Sequence, residues 1–112
     1  MAYRNTHVLI PSGPYTGSGV SPAFNTVGSD EIHVMLSVSS YSGAGPKLNV
    51  HVEWSMDRIN WGRTELDDSF SEKATAGSTI EAFNVKAPLF RIAYAVSVGA
   101  SFTFSTIVYT TH

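Results

Sequence analysis

Two stretches of alternating apolar and polar residues constrain the fold more than any other feature of the sequence. The stretches are residues 31–40 and 47–56, in which every second residue from Ile32 to Val38 and from Leu48 to Met56 is apolar. A period of two predicts β-strands with one buried face, because successive side chains of a strand point to opposite sides of the sheet. The turn sequence YSGAGP joins the two stretches, so we expect them to pair as an antiparallel hairpin. Its inward residues are Ile32, Val34, Leu36, Val38, Leu48, Val50, Val52, Trp54 and Met56.

Other strand-like segments are separated by turns that contain glycine and proline. Residues 6–10 predict a strand that ends at Pro11, and residues 79–86 predict a weaker one. Residues 89–98 and 101–110 predict a second hairpin, in which Val98 lies opposite Phe102. Since no segment has a helical period, we expect an all-β fold, either an antiparallel β-sandwich or a jelly-roll-like barrel of about six to eight strands.

Two segments lack a strand pattern. Residues 11–30 are rich in proline and glycine, which predicts a loop or an extended N-terminal arm, and we expect a contact such as a neighbouring chain to hold it in place. Residues 63–78 are polar and predict a mobile solvent-exposed loop. The length of 112 residues corresponds to one domain, residues 1–112.

The composition excludes several classes of function. The chain has no cysteine, which removes disulfides, thiolate catalysis and cysteine-ligated metals. Its formal net charge of −2 provides no basic surface for nucleic acid, and no apolar run is long enough to predict a membrane span. Only 14% of the residues are charged, against about 25% in a typical soluble domain, so much of the surface is uncharged.

Few residues are candidates for catalysis or metal binding. In the first predicted hairpin, His33, His51 and Glu53 share the outward face and are close enough to bind one metal ion. A zinc site needs further ligands and a second shell, and the spacing supplies neither. The G-x-S-x-G motif of serine hydrolases is absent as well. We therefore expect no bound metal, no cofactor and no enzymatic activity.

Aromatic residues leave a carbohydrate-binding module as an alternative from another class. Tyr15, Tyr41 and Trp61 fall in predicted loops, where exposed rings can stack on sugars. Trp61 also fits a structural role, in which it folds back over the edge of the sheet.

Two short motifs resemble small β-sandwich proteins of tailed-bacteriophage particles. Residues 52–61, VEWSMDRINW, are similar to the S-x-D-G-x-x-W hairpin of these proteins, which also occurs in some carbohydrate-binding sandwiches. Ser55, Asp57 and Trp61 are in register with the motif. Arg58 stands where the family has glycine, which disfavours a positive φ at that position.

The second motif lies in residues 88–105, which are similar to the closing hairpin of the same phage proteins. Arg91 and Tyr94 occupy its Arg-x-x-Tyr positions. The resemblance implies a non-enzymatic virion component that is assembled in the host cytoplasm.

The predicted function is that of a capsid decoration or cement protein that binds and stabilises the major capsid shell, with a phage neck or tail protein as the alternative. The expected partners are the major capsid protein or other virion proteins, and we expect a homo-oligomer within the assembly. Candidate partner-binding residues lie in the arm and on outward strand positions: Pro11, Pro14, Tyr15, Val20, Met35, Ile107 and Tyr109.

Overall fold

The computed structural model describes residues 5–26, 28–64 and 68–110. All regular secondary structure in this part of the chain is β, so it contains no helix that could span a membrane. The strands are β1 (Asn5–Tyr15), β2 (Ser18–Val20), β3 (Phe24–Asn25), β4 (Glu31–Ser42), β5 (Leu48–Ser55), β6 (Trp61–Gly62), β7 (Gly77–Asn84), β8 (Leu89–Val96) and β9 (Ser101–Thr110).

The strands form two antiparallel sheets that pack face to face. Sheet A has the order β1-β9-β4-β7, and sheet B has the order β2-β8-β5-β6, with β3 also paired to β8. The predicted all-β sandwich is therefore confirmed. Nine strands are present in the described residues instead of six to eight, because β2, β3 and β6 are short pieces of two or three residues that the alternation does not reveal.

The core lies between the sheets and uses the inward positions of the alternating stretches. Ile32, Leu36 and Val52 are among the side chains with no exposed surface, and Trp54 is buried as predicted. Met56 is the exception, because β5 ends at Ser55 and leaves the Met56 side chain 74% exposed. The largest fully buried side chains are Phe90, Phe102, Phe104, Ile32, Leu36, Leu48 and Ile92.

Both predicted hairpins are wrong. β4 pairs with β7 and β9, whereas β5 pairs with β6 and β8, so residues 43–47 connect sheet A to sheet B. Residues 97–100 connect β8 in sheet B to β9 in sheet A in the same way. Val98, predicted to pair with Phe102, is fully exposed in this connection. An alternating pattern specifies which side chains face the core, and two strands in opposite sheets satisfy it as well as two strands of one hairpin.

The prediction of a loop or an extended arm is wrong for most of residues 11–30, because this segment pairs with the sheets of its own chain. β1 continues past Pro11 to Tyr15 along β9. Two register shifts, one between Val8 and Ile10 and one between Ile10 and Gly13, accommodate the proline at the edge of sheet A. β2 and β3 then pair with β8. Contacts within the chain are therefore sufficient to order this segment.

Residues 68–73 extend the edge of sheet B and do not form the predicted solvent loop. The main chains of Leu48 and Lys73 exchange two hydrogen bonds of 2.8 Å, and the Phe70 amide donates to the Val50 carbonyl at 2.9 Å. The Phe70 side chain is buried with its ring centroid 5.9 Å from that of Phe83. Residues 65–67 of the predicted loop lie outside the described residues.

Candidate functional site on the outer face of sheet A

Four apolar side chains form a continuous row across the outer face of sheet A. Val8 lies opposite Ile107, Ile107 opposite Met35, and Met35 opposite Ile80, so each of the four strands contributes one residue. These residues point away from the core, because their neighbours along the central strands are buried. Val8 is 59% exposed and Ile80 is 65% exposed at the two edges of the sheet. We refer to Val8, Ile107, Met35 and Ile80 as the outer row.

A row that contains polar residues flanks the outer row on one side. Tyr109 and His33 lie opposite each other on neighbouring strands, with ring centroids 5.8 Å apart. His33 Nε2 is 3.1 Å from Glu31 Oε1. Tyr109, His33 and Thr6 bound a shallow groove on the outer face, together with Met35, Ile80 and Ile107 of the outer row.

Serine side chains flank the outer row on its other side. Ser37 lies opposite both Ser105 and Ser78, and the Oγ atoms of Ser37 and Ser78 are 3.0 Å apart. The outer row is therefore an apolar strip with polar borders, which is how the core and rim of a protein interface are arranged.

The structure brings three of the predicted partner-binding residues together on this face. Met35 and Ile107 belong to the outer row, and Tyr109 lies in the neighbouring row. Sequence reasoning missed Val8 and Ile80, which complete the row. In the sequence, Val8 and Ile80 can be recognised as apolar residues within strand segments. Only the strand order shows that they continue the same strip.

The predicted arm residues lie away from the outer row. The Tyr15 ring packs against Tyr94 and Phe104, with centroid separations of 5.4 and 4.9 Å, and its hydroxyl donates to the Pro11 carbonyl at 2.6 Å. Tyr15 therefore packs against the core at the edge of the sandwich. Pro14 is exposed on β1, and Val20 is half-exposed on β2 of sheet B.

The predicted Ser-Asp motif forms a tight turn after β5. Ser55 Oγ accepts hydrogen bonds from the main-chain amides of Asp57 and Arg58 at 3.2 and 2.8 Å. Asp57 Oδ1 accepts hydrogen bonds from the main-chain amides of Ile59 and Asn60 at 2.9 and 2.8 Å. The hydrogen bonds from the Asn60 and Ile59 main chain hold the pKa of Asp57 well below its ordinary value of 3.8. Arg58 nevertheless adopts a φ of 69°, so the expectation that this position avoids a positive φ is wrong.

Trp61 lies on the outer face of sheet B beneath a guanidinium group. The Arg91 guanidinium carbon is 4.4 Å from the Trp61 ring centroid, and Arg91 Nε donates to Glu53 Oε1 at 2.8 Å. Burial raises the pKa of Glu53, but hydrogen bonds from His51 and Arg91 and the charge of Arg91 outweigh burial, so the pKa lies below 4.5. Arg91 therefore occupies a ring face that a sugar would need.

The proposed catalytic and sugar-binding sets are not assembled. His33 is on the outer face of sheet A, whereas His51 and Glu53 are on the outer face of sheet B, because their predicted hairpin does not exist. Within the described residues, no three His, Cys, Asp or Glu side chains converge as metal ligands do. Tyr41 and Trp61 lie at opposite ends of the sandwich, so they form no common aromatic platform.

Comparison with known proteins identifies the fold. No protein-family model matches the sequence, and no curated protein sequence matches it. Among solved structures, PBSX exported protein XepA has a TM-score of 0.70 at 9% identity over 95% of this chain. SPBc2 prophage-derived protein YomS has a TM-score of 0.59 at 12% identity over 100% of this chain. VP2 of the infectious bursal disease virus subviral particle has a TM-score of 0.66 at 13% identity over 98% of this chain.

The matched proteins differ in length and in kind. This chain covers 36% of XepA and 32% of VP2, but 96% of YomS. Tripeptidyl peptidase 2 also matches, with a TM-score of 0.64 over 10% of its own chain. At these sequence identities the likeness establishes a shared β-sandwich fold, and the function has to be derived from the surface of this chain.

Proposed function

We propose that the chain is a non-enzymatic structural protein of a bacteriophage particle, and specifically a capsid decoration protein that binds and reinforces the major capsid shell. The outer row carries this proposal, because it crosses the full width of sheet A. A monomer rarely exposes a large contiguous apolar patch, and such a patch marks an interaction site. Two further observations support this proposal. The sequence contains the phage-like motifs, and the fold is shared with a prophage-derived protein and a virus-particle protein.

The proposed mechanism is adhesive. Each copy covers the outer row with an apolar surface of the capsid protein, and the serine and tyrosine rows on either side hydrogen-bond at the rim. One such contact is small, but a rigid particle presents many equivalent sites, so weak contacts add up to a stabilised shell.

The chemistry of the outer row also indicates how the binding should respond to salt. The four side chains of the row carry no charge. Apolar contacts are not screened by ions, whereas exposed ion pairs are. We therefore expect attachment to persist as the salt concentration rises, and loss of binding at moderate salt would point to a charged surface elsewhere on the molecule.

Sedimentation of the purified chain with phage capsids tests the proposal. Met35→Lys and Ile107→Lys place charges in the middle of the outer row, and each is expected to abolish co-sedimentation while the fold is retained. Val98→Lys is the matched control, because Val98 is fully exposed in the connection between β8 and β9. Co-sedimentation of both outer-row variants at wild-type levels would overturn the role of the row.

The number of bound copies distinguishes the positions in the particle. Hundreds of copies per particle indicate decoration of the shell, whereas a single ring of copies indicates a neck or tail protein. A chain that ignores particles but binds a glycan, with binding lost in Trp61→Ala, would favour a carbohydrate-binding module. That result would require the Arg91 guanidinium to leave the Trp61 ring.

A further inference from the structure

Sheet A has one open edge and one blocked edge. β7 pairs with β4 in unbroken register from Gly77 to Asn84 and contains neither a bulge nor a proline. No strand among the described residues pairs with its other side. The opposite edge, β1, carries Pro11, Pro14 and two register shifts, which are features that prevent a further strand from pairing.

We propose that β7 pairs antiparallel with β7 of a second copy of this chain, around a two-fold axis that passes through Ile80. The two copies of sheet A then form one eight-stranded sheet. In this register Ile80 lies opposite Ile80 of the second copy, and Glu81 lies opposite Thr79 of the second copy. This inference does not depend on the virion role.

Charge selects this register. The Glu81 side chain is exposed on β7, on the side of the sheet that faces sheet B, because its partner on β4 is the buried Val34. Lys73 Nζ donates to Thr79 Oγ1 at 2.9 Å. Neither Glu81 nor Lys73 forms an ion pair with any residue that the structure describes. Because Thr79 of one copy lies opposite Glu81 of the other, the register brings each Glu81 next to the Lys73 of its partner, twice by symmetry.

Neighbouring registers lack this complementarity. An axis through Glu81 would place the two carboxylates directly opposite each other, and an axis through Thr79 would bring the two Lys73 ammonium groups together. Like charges at opposed positions destabilise strand pairing. Of these three registers, only the axis through Ile80 neutralises both charges.

The outer row supports the same axis. It ends at Ile80, which is 65% exposed at the edge of β7. Pairing around Ile80 joins the row to that of the second copy, so that eight apolar side chains cross one continuous face. Because the β1 edges remain blocked on both sides, the assembly closes as a dimer and does not grow into a fibre.

A cysteine at the two-fold axis tests the register directly. The chain has no cysteine of its own. Ile80→Cys is expected to form a disulfide-linked dimer under oxidising conditions, because directly opposed residues of antiparallel strands are within disulfide range. Ala82→Cys is the matched control, since it lies on the same face of β7 but opposite Ser78 of the second copy. Cross-linking that is absent from Ile80→Cys, or equal in both variants, would overturn the proposal.

Charge exchange followed by analytical ultracentrifugation provides the second test. Glu81→Lys and Lys73→Glu are each expected to raise the dimer dissociation constant about tenfold, because each removes two symmetry-related ion pairs and adds repulsion. The double variant should recover wild-type affinity. Asp30→Lys changes the net charge as Glu81→Lys does but lies before β4, so it should leave the dimer unchanged.

The outcomes separate this inference from the virion role. A wild-type chain that stays monomeric, or a double variant that stays as weak as the single ones, contradicts the dimer. A chain that dimerises through β7 but does not sediment with particles contradicts the proposed function alone.

Discussion

At the scale of single residues, Arg58 shows how the turn after β5 is held. Its φ of 69° lies in the left-handed region, where the Cβ atom of an L-residue is crowded and glycine is favoured. The amides around it are held by the Ser55 hydroxyl and the Asp57 carboxylate. These hydrogen bonds hold the left-handed turn although this position has no glycine.

Replacing Arg58 with glycine should relieve this strain. We expect Arg58→Gly to raise the free energy of unfolding by about 1 kcal/mol. Glycine avoids the steric cost of the left-handed region, and part of this gain is offset by the larger conformational entropy of glycine in the unfolded chain. Urea denaturation measures the change. Arg58→Ala keeps the Cβ atom and should give no gain, so an equal gain in both variants would show that the charge, and not the backbone, is responsible.

The Asp57 carboxylate should make the turn sensitive to acid. Because its pKa is lowered in the folded protein, Asp57 stabilises the fold above its ordinary pKa of 3.8, and this stabilisation is lost as the pH falls below that value. The difference in melting temperature between wild type and Asp57→Asn should therefore be largest near neutral pH and should shrink below pH 3.8. A difference that grows on acidification would contradict this role.

At the scale of elements, the alternation in the sequence predicts strands better than it predicts their partners. Val38 and Leu48 are both buried, as expected, yet they belong to different sheets. A short turn between two amphipathic strands either closes a hairpin or crosses a sandwich, and the buried faces are the same in both cases. The polar segment before β7 differs from its prediction for another reason. Its polar residues predict a solvent loop, but one aromatic residue and main-chain hydrogen bonds attach it to sheet B.

That aromatic residue should control the edge of sheet B. We expect Phe70→Ala to lower the free energy of unfolding by about 3 kcal/mol, because a buried ring beside Phe83 is replaced by a cavity. Hydrogen exchange should also accelerate at the amides of Leu48 and Lys73, which bond each other across this edge. Ser71→Ala, next in sequence and exposed, is the control and should change neither quantity.

At the scale of the whole molecule, the candidate site depends on strand order. The outward positions of Met35, Ile107 and Tyr109 follow from alternation within each strand. The row becomes continuous only because β1 and β9 come together from the two ends of the chain and β7 joins the other side of β4. No local pattern encodes such pairings, which is why Val8 and Ile80 could not be assigned from the sequence.

The same long-range pairings should make folding slow. Sheet A joins residues near position 5 to residues near position 110, and from β4 onward each long strand lies in the opposite sheet from the long strand before it. Closing such loops costs chain entropy before the contacts that stabilise them can form. We therefore expect a folding time between about a millisecond and a second in stopped-flow refolding. Folding within microseconds would mean that local contacts dominate the transition state.

The pairing of Asn5 with Thr110 places the two ends of the described chain side by side on adjacent strands. A few added residues could therefore link these ends, and new ends could be opened between the exposed residues Val98 and Gly99 without separating any paired strands. The same geometry makes the sandwich suitable for insertion into a surface loop of another protein. The chain would enter and leave such an insert at neighbouring points, so the host protein would need little rearrangement to carry it.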